Sequence, residues 1–384
     1  MMTKGVYLDY NATTPVLPEV LDAMRPYFSE RFGNPASPHL WGKEAHDAVE
    51  SARQTLAQGL GVSPQELTFT SGATEALNLA LFGIAYAYQH TGKRHILVSA
   101  TEHKAILDPA KALAARGWEV ELLPVDANGL IPPDTLKQAL RPDTLLVAIM
   151  LANNETGVLQ PIKALATVAH EQGAIFLCDT TQAIGKVPVS LPDLDVDVAV
   201  LSAHKFYGPK GIGALYTRRR APRVSVQPLI LGGGHERGLR SGTLPVPLIV
   251  GMATAFDLVH RDLPQESQRQ AALRDKLMQG IRALYPAAIV HGLQAPRLPN
   301  TLSIAFPGLK ASDILARAPL LAAATGSACT SARPEPSHVL LAMGCAPEVA
   351  RSTLRFSVGR LTQEKEIDQA LHYLSIALQA LHPA

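Results

Sequence analysis

Between residues 67 and 217, short apolar runs rich in branched side chains alternate with helix-length amphipathic segments, and this alternation leaves few architectures open. It predicts an α/β protein whose large domain holds a mainly parallel, seven-stranded sheet flanked by helices. The expected strands are Leu67–Thr70, His95–Ser99, Glu119–Leu123, Leu145–Leu151, Ala174–Cys178, Val196–Leu201 and Gly213–Tyr216, with helices at Ala73–Tyr88, Ala105–Ala115 and Ile162–Gln172 among them. Past residue 260 the texture changes to a long polar amphipathic helix, Gln265–Leu284, then Pro-interrupted strands and a last helix, Glu364–Leu381. That pattern reads as a smaller α+β domain. Residues 15–260 are therefore expected to form the large domain, and 1–14 with 261–384 the small one. The stretch from Pro319 to Pro336, rich in Ala, Ser, Thr and Gly with Cys329 inside it, reads as an exposed, mobile loop of the small domain.

Composition narrows the function classes. A chain of 384 residues that is 47% apolar and 18% charged can bury a large core. Its net charge of +2 is too small and too evenly spread for a nucleic-acid footprint, and Arg218-Arg219-Arg220 reads as a solvated turn after a strand. The three cysteines, Cys178, Cys329 and Cys345, lack the spacing of a disulfide framework or a zinc site, so a reducing compartment is expected and no metal. Neither a leader at the first residues nor a membrane span is recognisable, which makes the cytoplasm the default location.

Three segments carry chemistry. Thr70-Ser71-Gly72-Ala73-Thr74-Glu75 follows an expected strand and opens a helix, where unpaired amides and the positive dipole end suit a phosphate and Gly72 permits close approach. The same residues also suit an ordinary helix cap. Asp179 falls at the carboxyl end of an apolar strand, the edge at which open α/β sheets bind ligands. Lys205 follows another buried strand, in Ser202-Ala203-His204-Lys205, where desolvation frees an amine for Schiff-base chemistry; Lys104 competes for that role. A phosphate cradle, a strand-end carboxylate and a strand-end amine are together the three parts of a pyridoxal 5'-phosphate site: anchor, partner of the pyridinium nitrogen, and imine. A dinucleotide-dependent dehydrogenase is excluded, because no Gly-x-Gly-x-x-Gly stands between a strand and a helix.

At this point the chain resembles the NifS/IscS-type cysteine desulfurases of the aminotransferase-like group, fold type I among pyridoxal-phosphate proteins. The resemblance runs nearly end to end, through 7–15 (YLDYNATTP), 32–37 (FGNPAS), 70–75 (TSGATE), 101–104 (TEHK), 153–157 (NNETG), 179–182 (DTTQ), 202–205 (SAHK), 232–243 (GGGHERGLRSGT), 326–331 (GSACTS) and 355–360 (RFSVGR). It implies that Lys205 holds the cofactor, which decides against Lys104, and that His103 stacks on the ring and assists proton transfer. By the same resemblance Asp179 pairs with the pyridinium nitrogen and Gln182 with the ring phenolate. Ala73, Thr74, Ser202 and His204 hold the phosphate, joined by Thr243 of a second subunit in a homodimer. Asn154 and Arg355 bind the substrate carboxylate, with help from Asn34.

The resemblance further implies that L-cysteine is converted to L-alanine while Cys329 takes the sulfur as a persulfide. The persulfide then serves an acceptor protein in iron–sulfur assembly or another thiolation. Cys178 and Cys345 read as small packing residues. Two other readings remain: a selenocysteine lyase, and an idle sulfur-carrier or assembly subunit with a vestigial cofactor. Against many relatives, Ala324-Thr325 replaces a Ser-Ser pair, and the tail past the last helix is shorter than the one some relatives use to dock a scaffold, so the acceptor is left open.

Overall fold

The computed structural model describes residues 5–219, 221, 223–325 and 335–381. Thirteen strands lie among them: β1 Val6–Tyr7, β2 Leu67–Thr70, β3 His95–Ser99, β4 Glu119–Leu123, β5 Thr144–Ala148, β6 Ile175–Asp179, β7 Val198–Ser202, β8 Gly213–Thr217, β9 Ile289–Val290, β10 Thr301–Ala305, β11 Leu321–Ala322, β12 Ala324–Thr325 and β13 Thr353–Ser357. Seven of them form one sheet in the order β2-β8-β7-β6-β5-β3-β4. All its pairings are parallel except those of β8, which runs antiparallel to both β2 and β7.

The alternation of side chains along each strand explains why this sheet is covered on both faces. Leu97, Val147, Phe176 and Leu201 point to one side, where they pack with Val49, Leu56, Leu60, Met252 and Phe256 from helices Leu40–Leu60 and Val246–Arg261. Ile96, Val98, Leu146, Leu177 and Val200 point to the other, against Leu77, Leu81, Ile84, Ile106 and Leu113 from helices Ala73–Tyr88 and Lys104–Ala114. Strands apolar on both faces have only their ends open to polar groups, so the chemistry is driven to the sheet edge.

A second sheet, β12-β13-β10-β9, is antiparallel throughout. Helix Glu364–Leu381 buries Ile367, Ala370, Leu374, Ala377 and Leu378, one stripe at helical spacing, onto Leu273, Leu277 and Ile281 of helix Leu263–Leu284. Val6 and Leu8 join this core, and β1 pairs with β11, so the chain's first described residues belong to the same layer. No helix among the described residues is long and apolar enough to cross a membrane.

Two departures from the sequence reading have physical causes. Strands β6 and β7 run one residue further than expected, through Asp179 and Ser202, because backbone pairing continues past the last apolar side chain. Residues 321–325, expected in a mobile loop, instead form β11 and β12. Each two-residue strand turns its first side chain inward, Leu321 and Ala324, while Ala322 is exposed, a pattern too short and written in side chains too small to stand out. The remaining loop expectation, and Cys329 with it, falls at residues 326–334, outside the described residues.

One buried ion pair ties the segment before helix Val246–Arg261 to the sheet. Arg53 donates to both carboxylate oxygens of Glu236 at 2.8 and 2.7 Å and to the Leu67 carbonyl at 3.0 Å, while Glu236 also accepts from the Phe69 N–H at 2.7 Å. Both side chains are almost wholly buried, and the backbone at Glu236 and Arg237 holds φ of 51° and 59°. Removing one partner strands the other charge, so Arg53→Ala should lower the unfolding free energy by about 3–5 kcal/mol, read from denaturant midpoints. A loss below about 1 kcal/mol, the range of an exposed pair, would contradict this.

Candidate active site

In the parallel register of β6 and β7, Asp179 lies opposite Val200, and the chain leaves β7 at Ser202 to turn through Ala203–Lys205. This places a carboxylate and an amine at neighbouring strand ends. Both open on a cavity of about 980 Å³. Helix Ala73–Tyr88 aims its N-terminus into the same cavity, starting at Gly72 with φ 151°, a conformation that side chains disfavour. A Cβ at Gly72 would stand 3.8 Å from the Ser202 hydroxyl, and a Cβ at Gly213 would stand 2.8 Å from the Gly72 Cα. The two glycines let this turn close onto β8.

Of the residues singled out from sequence, Ala73, Thr74, His103, Asn154, Asp179, Gln182, Ser202, His204, Lys205 and Arg355 all line the cavity. Asn34 and Thr243 do not. Asn34 is exposed, and its Oδ1 accepts from the Ala36 N–H at 2.9 Å; Thr243 is exposed at the end of the segment that Glu236 anchors. Lys104 also lines the cavity, exposed at the first turn of its helix.

Each polar group has a definite setting. Lys205 Nζ donates to the carbonyls of Asn11 at 2.7 Å and Ala12 at 2.8 Å. Asp179, 7% exposed, accepts from the Thr181 N–H at 2.9 Å through Oδ1. His103 caps helix Lys104–Ala114, its Nδ1 accepting from the Ala105 N–H at 3.1 Å, which leaves Nε2 as the nitrogen that carries the proton of a neutral ring. Burial lowers the His103 pKa, Asp179 opposes this, and Lys205 adds to it. His204 lies 3.1 Å from the Thr13 hydroxyl through Nδ1, and burial, then Lys205, Lys210 and Lys186, push its pKa down to about 4. Arg355 donates to Asp9 at 2.6 Å and to the Asn154 carbonyl at 3.0 Å, and its buried Nε has no partner among the described residues.

Several residues around the cavity have no signal of their own in the sequence reading. Asp9, Asn11 and Thr13 fall inside the 7–15 motif, but spacing alone cannot lay that segment over a sheet edge formed about 170–190 residues later. Lys186 is a second buried amine, donating to Gln182 O at 2.9 Å and Oε1 at 3.2 Å, and burial, with Lys205 and Arg355, pushes its pKa down to about 7. Glu102 is fully buried; Oε1 accepts from the Met150 N–H at 2.5 Å while Oε2 has no partner among the described residues. Burial and the neighbouring Asp179 hold its pKa far above the carboxylate range.

Of the other cysteines, Cys178 is fully buried in β6 and packs in the core, where burial pushes its thiol pKa far up. Cys345 is half-buried, 3.6 Å from His291 Nδ1. Neither lines the cavity.

The aminotransferase class-V family model matches residues 6–370. Cysteine desulfurase IscS of Anaeromyxobacter dehalogenans strain 2CP-C is 47% identical over 367 residues, 95% of this chain and 90% of that protein. Among solved structures, a NifS-like protein superposes with a TM-score of 0.91 at 39% identity, over 98% of this chain and 100% of the other. SspA in complex with cysteine superposes with a TM-score of 0.82 at 37% identity, over 92% and 98%. The chain belongs to the aminotransferase class-V family and, within it, to the cysteine desulfurases.

The cavity wall also stores a pH dependence. Glu155 is buried, its Oε2 accepts from the Ser337 hydroxyl at 2.5 Å, and burial pushes its pKa from 4.5 up to about 7 against the opposing pull of that bond and of Arg355. A raised carboxyl pKa favours the fold fully below the unfolded value and loses that contribution as pH rises through the folded value. The stability of the protein should therefore fall between about pH 4.5 and pH 7 by up to roughly 3 kcal/mol from this group. Glu155→Gln, which keeps an acceptor for Ser337, should remove that slope, so its melting temperature relative to wild type should be a few degrees higher at pH 8 than at pH 5. An offset equal at the two pH values would contradict the assignment.

Proposed function

We propose that this cavity binds pyridoxal 5'-phosphate and L-cysteine and releases L-alanine, with Cys329 taking the substrate sulfur as a persulfide. The observation that carries the reading is the convergence of Asp179, Lys205 and the Gly72 helix N-terminus on one cavity at one edge of the seven-stranded sheet, where β6, β7 and β2 end. These residues fit the group: amides at Gly72–Thr74 with the Ser202 hydroxyl for a phosphate, a carboxylate for a protonated ring nitrogen, and an amine for an aldehyde. When bound, pyridoxal phosphate supplies an electron sink for the pair left at the substrate Cα.

The chain's own residues supply binding, orientation and proton movement. Lys205 holds the cofactor through Nζ. Asp179 pairs with the ring nitrogen and keeps it protonated. Gln182, fixed by Lys186 and Asn11, presents its amide to the ring oxygen. His103, neutral because burial lowers its pKa, lies over the ring and exchanges a proton at Nε2. His204, neutral for the same reason, serves the phosphate as a donor. Arg355, clamped by Asp9, receives the substrate carboxylate with Asn154. The sulfur balance is simple: substrate thiol and Cys329 thiol become alanine and the Cys329 persulfide.

Thr243 completes the phosphate site of a second copy in a homodimer. Support comes from its exposure on a segment tied to the cradle through Arg240 and Glu75, paired at 2.8 Å, and from the exposed Leu229, Ile230 and Leu231 nearby in that segment. The clusters on the two faces of the seven-stranded sheet and the separate one on the four-stranded sheet support a large domain of residues 15–260 and a small one of 1–14 with 261–384, Tyr10 and Leu298 packing across onto the large one. The persulfide passes to an acceptor protein of iron–sulfur assembly or thiolation, in a reducing cytoplasm that keeps Cys329 a thiol.

Two variants test the reading. Lys205→Ala should lose the visible imine absorption, whereas Cys329→Ala should keep it and form sulfide from L-cysteine on the order of 100-fold more slowly in dithiothreitol. Wild-type sulfide release by Cys329→Ala would overturn the persulfide assignment, and absence of imine absorption from the wild type would overturn the cofactor.

A further inference from the structure

Asn11 is 1% exposed, and every polar group it carries is engaged. Its N–H donates to the Ser357 hydroxyl at 2.9 Å, next to the end of β13. Its side-chain Nδ2 donates to the Thr301 hydroxyl at 2.9 Å and to the Asn154 carbonyl at 3.2 Å, and its Oδ1 accepts from Asn300 Nδ2 at 3.0 Å. The Thr301 hydroxyl in turn donates to Asn300 Oδ1 at 3.0 Å, and Asn300 Nδ2 is also held by the Val358 carbonyl at 3.2 Å. These bonds fix which way the Asn11 amide faces. On its other side, the Asn11 carbonyl accepts from Lys205 Nζ at 2.7 Å and Gln182 Nε2 at 2.9 Å, and the adjoining Ala12 carbonyl takes Lys205 Nζ at 2.8 Å.

One residue therefore joins the four-stranded sheet to the amine at the edge of the seven-stranded one. An ammonium has only donors and a carbonyl only acceptors, so two carbonyls held side by side are a matched seat for a lysine. They are useful only if they are held still. The two carbonyls sit in a turn at Tyr10–Ala12 that the Ala12 N–H closes onto the Asp9 carbonyl at 3.0 Å, and the bonds that fix this turn against the four-stranded sheet come from Asn300, Thr301 and Ser357.

We propose that Asn11 is a positioning residue for Lys205: anchored by Asn300 and Thr301, it holds its own and the Ala12 carbonyl as the seat of the lysine amine whenever that amine is not bonded to the cofactor. The inference rests on the reading of Lys205 as the cofactor lysine. Asn11 meets Lys205 through its backbone carbonyl alone, its side chain points to Asn300, Thr301 and Asn154, and Asn300 acts only through Asn11.

The test is a double-mutant cycle with Asn11→Ala, Asn300→Ala and the pair, each as full-length protein stripped of cofactor and then mixed with pyridoxal phosphate. The rate at which the visible imine band grows is the first reading, and kcat and KM for L-cysteine are the second. Each single variant should slow band growth and lower kcat about three- to tenfold with KM unchanged, and the pair should lose no more than the worse single variant. Melting temperatures alone would move if the residues merely supported the fold; lowered stability with wild-type band growth and kcat sinks the proposal, as does additive loss in the pair. If Asn11→Ala does not fold, Asn300→Ala decides alone, since it removes the bond from Asn300 Nδ2 to Asn11 Oδ1 while Asn11 itself and its bond to the Thr301 hydroxyl stay in place. A wild-type protein that forms no band with pyridoxal phosphate would instead remove the reading of Lys205, a separate failure.

Discussion

In the parallel pairing of β6 with β7, Asp179 stands opposite Val200, and the remaining geometry of the cavity follows from that register. A slip of one residue would exchange the faces of Asp179 and Cys178 and carry the carboxylate away from its place beside the turn to Lys205, because side chains alternate between faces. The register is secured by apolar side chains on both faces, Phe176 on one and Leu177, Val198 and Val200 on the other, all fully buried. Burial of that kind, about 1.5–3 kcal/mol for each large side chain, far exceeds what any single polar contact in the cavity contributes. The sheet therefore sets the site, and the site does not set the sheet.

Around this frame the electrostatics follow one rule: few buried groups keep a charge. Burial favours the proton on Glu102 and drives it off His103 and His204. Glu155 and Lys186, both pushed to about 7, sit near the balance point. Asp179 on one side and Lys205 and Arg355 on the other face the cavity, which Glu75, Lys104, Asp108 and Lys210 also line. In such a setting each retained charge acts strongly on whatever enters, which is the condition for binding an amino acid's carboxylate and a protonated ring in one cavity.

Much of the fold was legible in the sequence, for reasons that differ by element. The strands β2 and β3 and the helices Ala73–Tyr88 and Glu364–Leu381 fall where apolar periodicity puts them, because large side chains recur along their buried faces, and β4 matches its expected bounds although only Leu123 of it is buried. β11 and β12 escaped notice because small residues carry the same alternation with little contrast. Lys205 and Asp179 could be read from their position after apolar strands. Asn11, Asp9 and Lys186 could not, since what they do depends on a strap and a helix start brought together from distant parts of the chain. Cys329 differs from all of these: its role came from the motif around it and lies outside the described residues.

That asymmetry locates the decisive observation. The protein loaded with pyridoxal phosphate should be incubated with L-cysteine without reductant, alkylated, digested and weighed peptide by peptide. The account predicts one additional sulfur atom on the peptide carrying Cys329, with the Cys178 and Cys345 peptides unchanged. Extra sulfur on Cys345, or alanine formed in full with Cys329 unmodified, would contradict it.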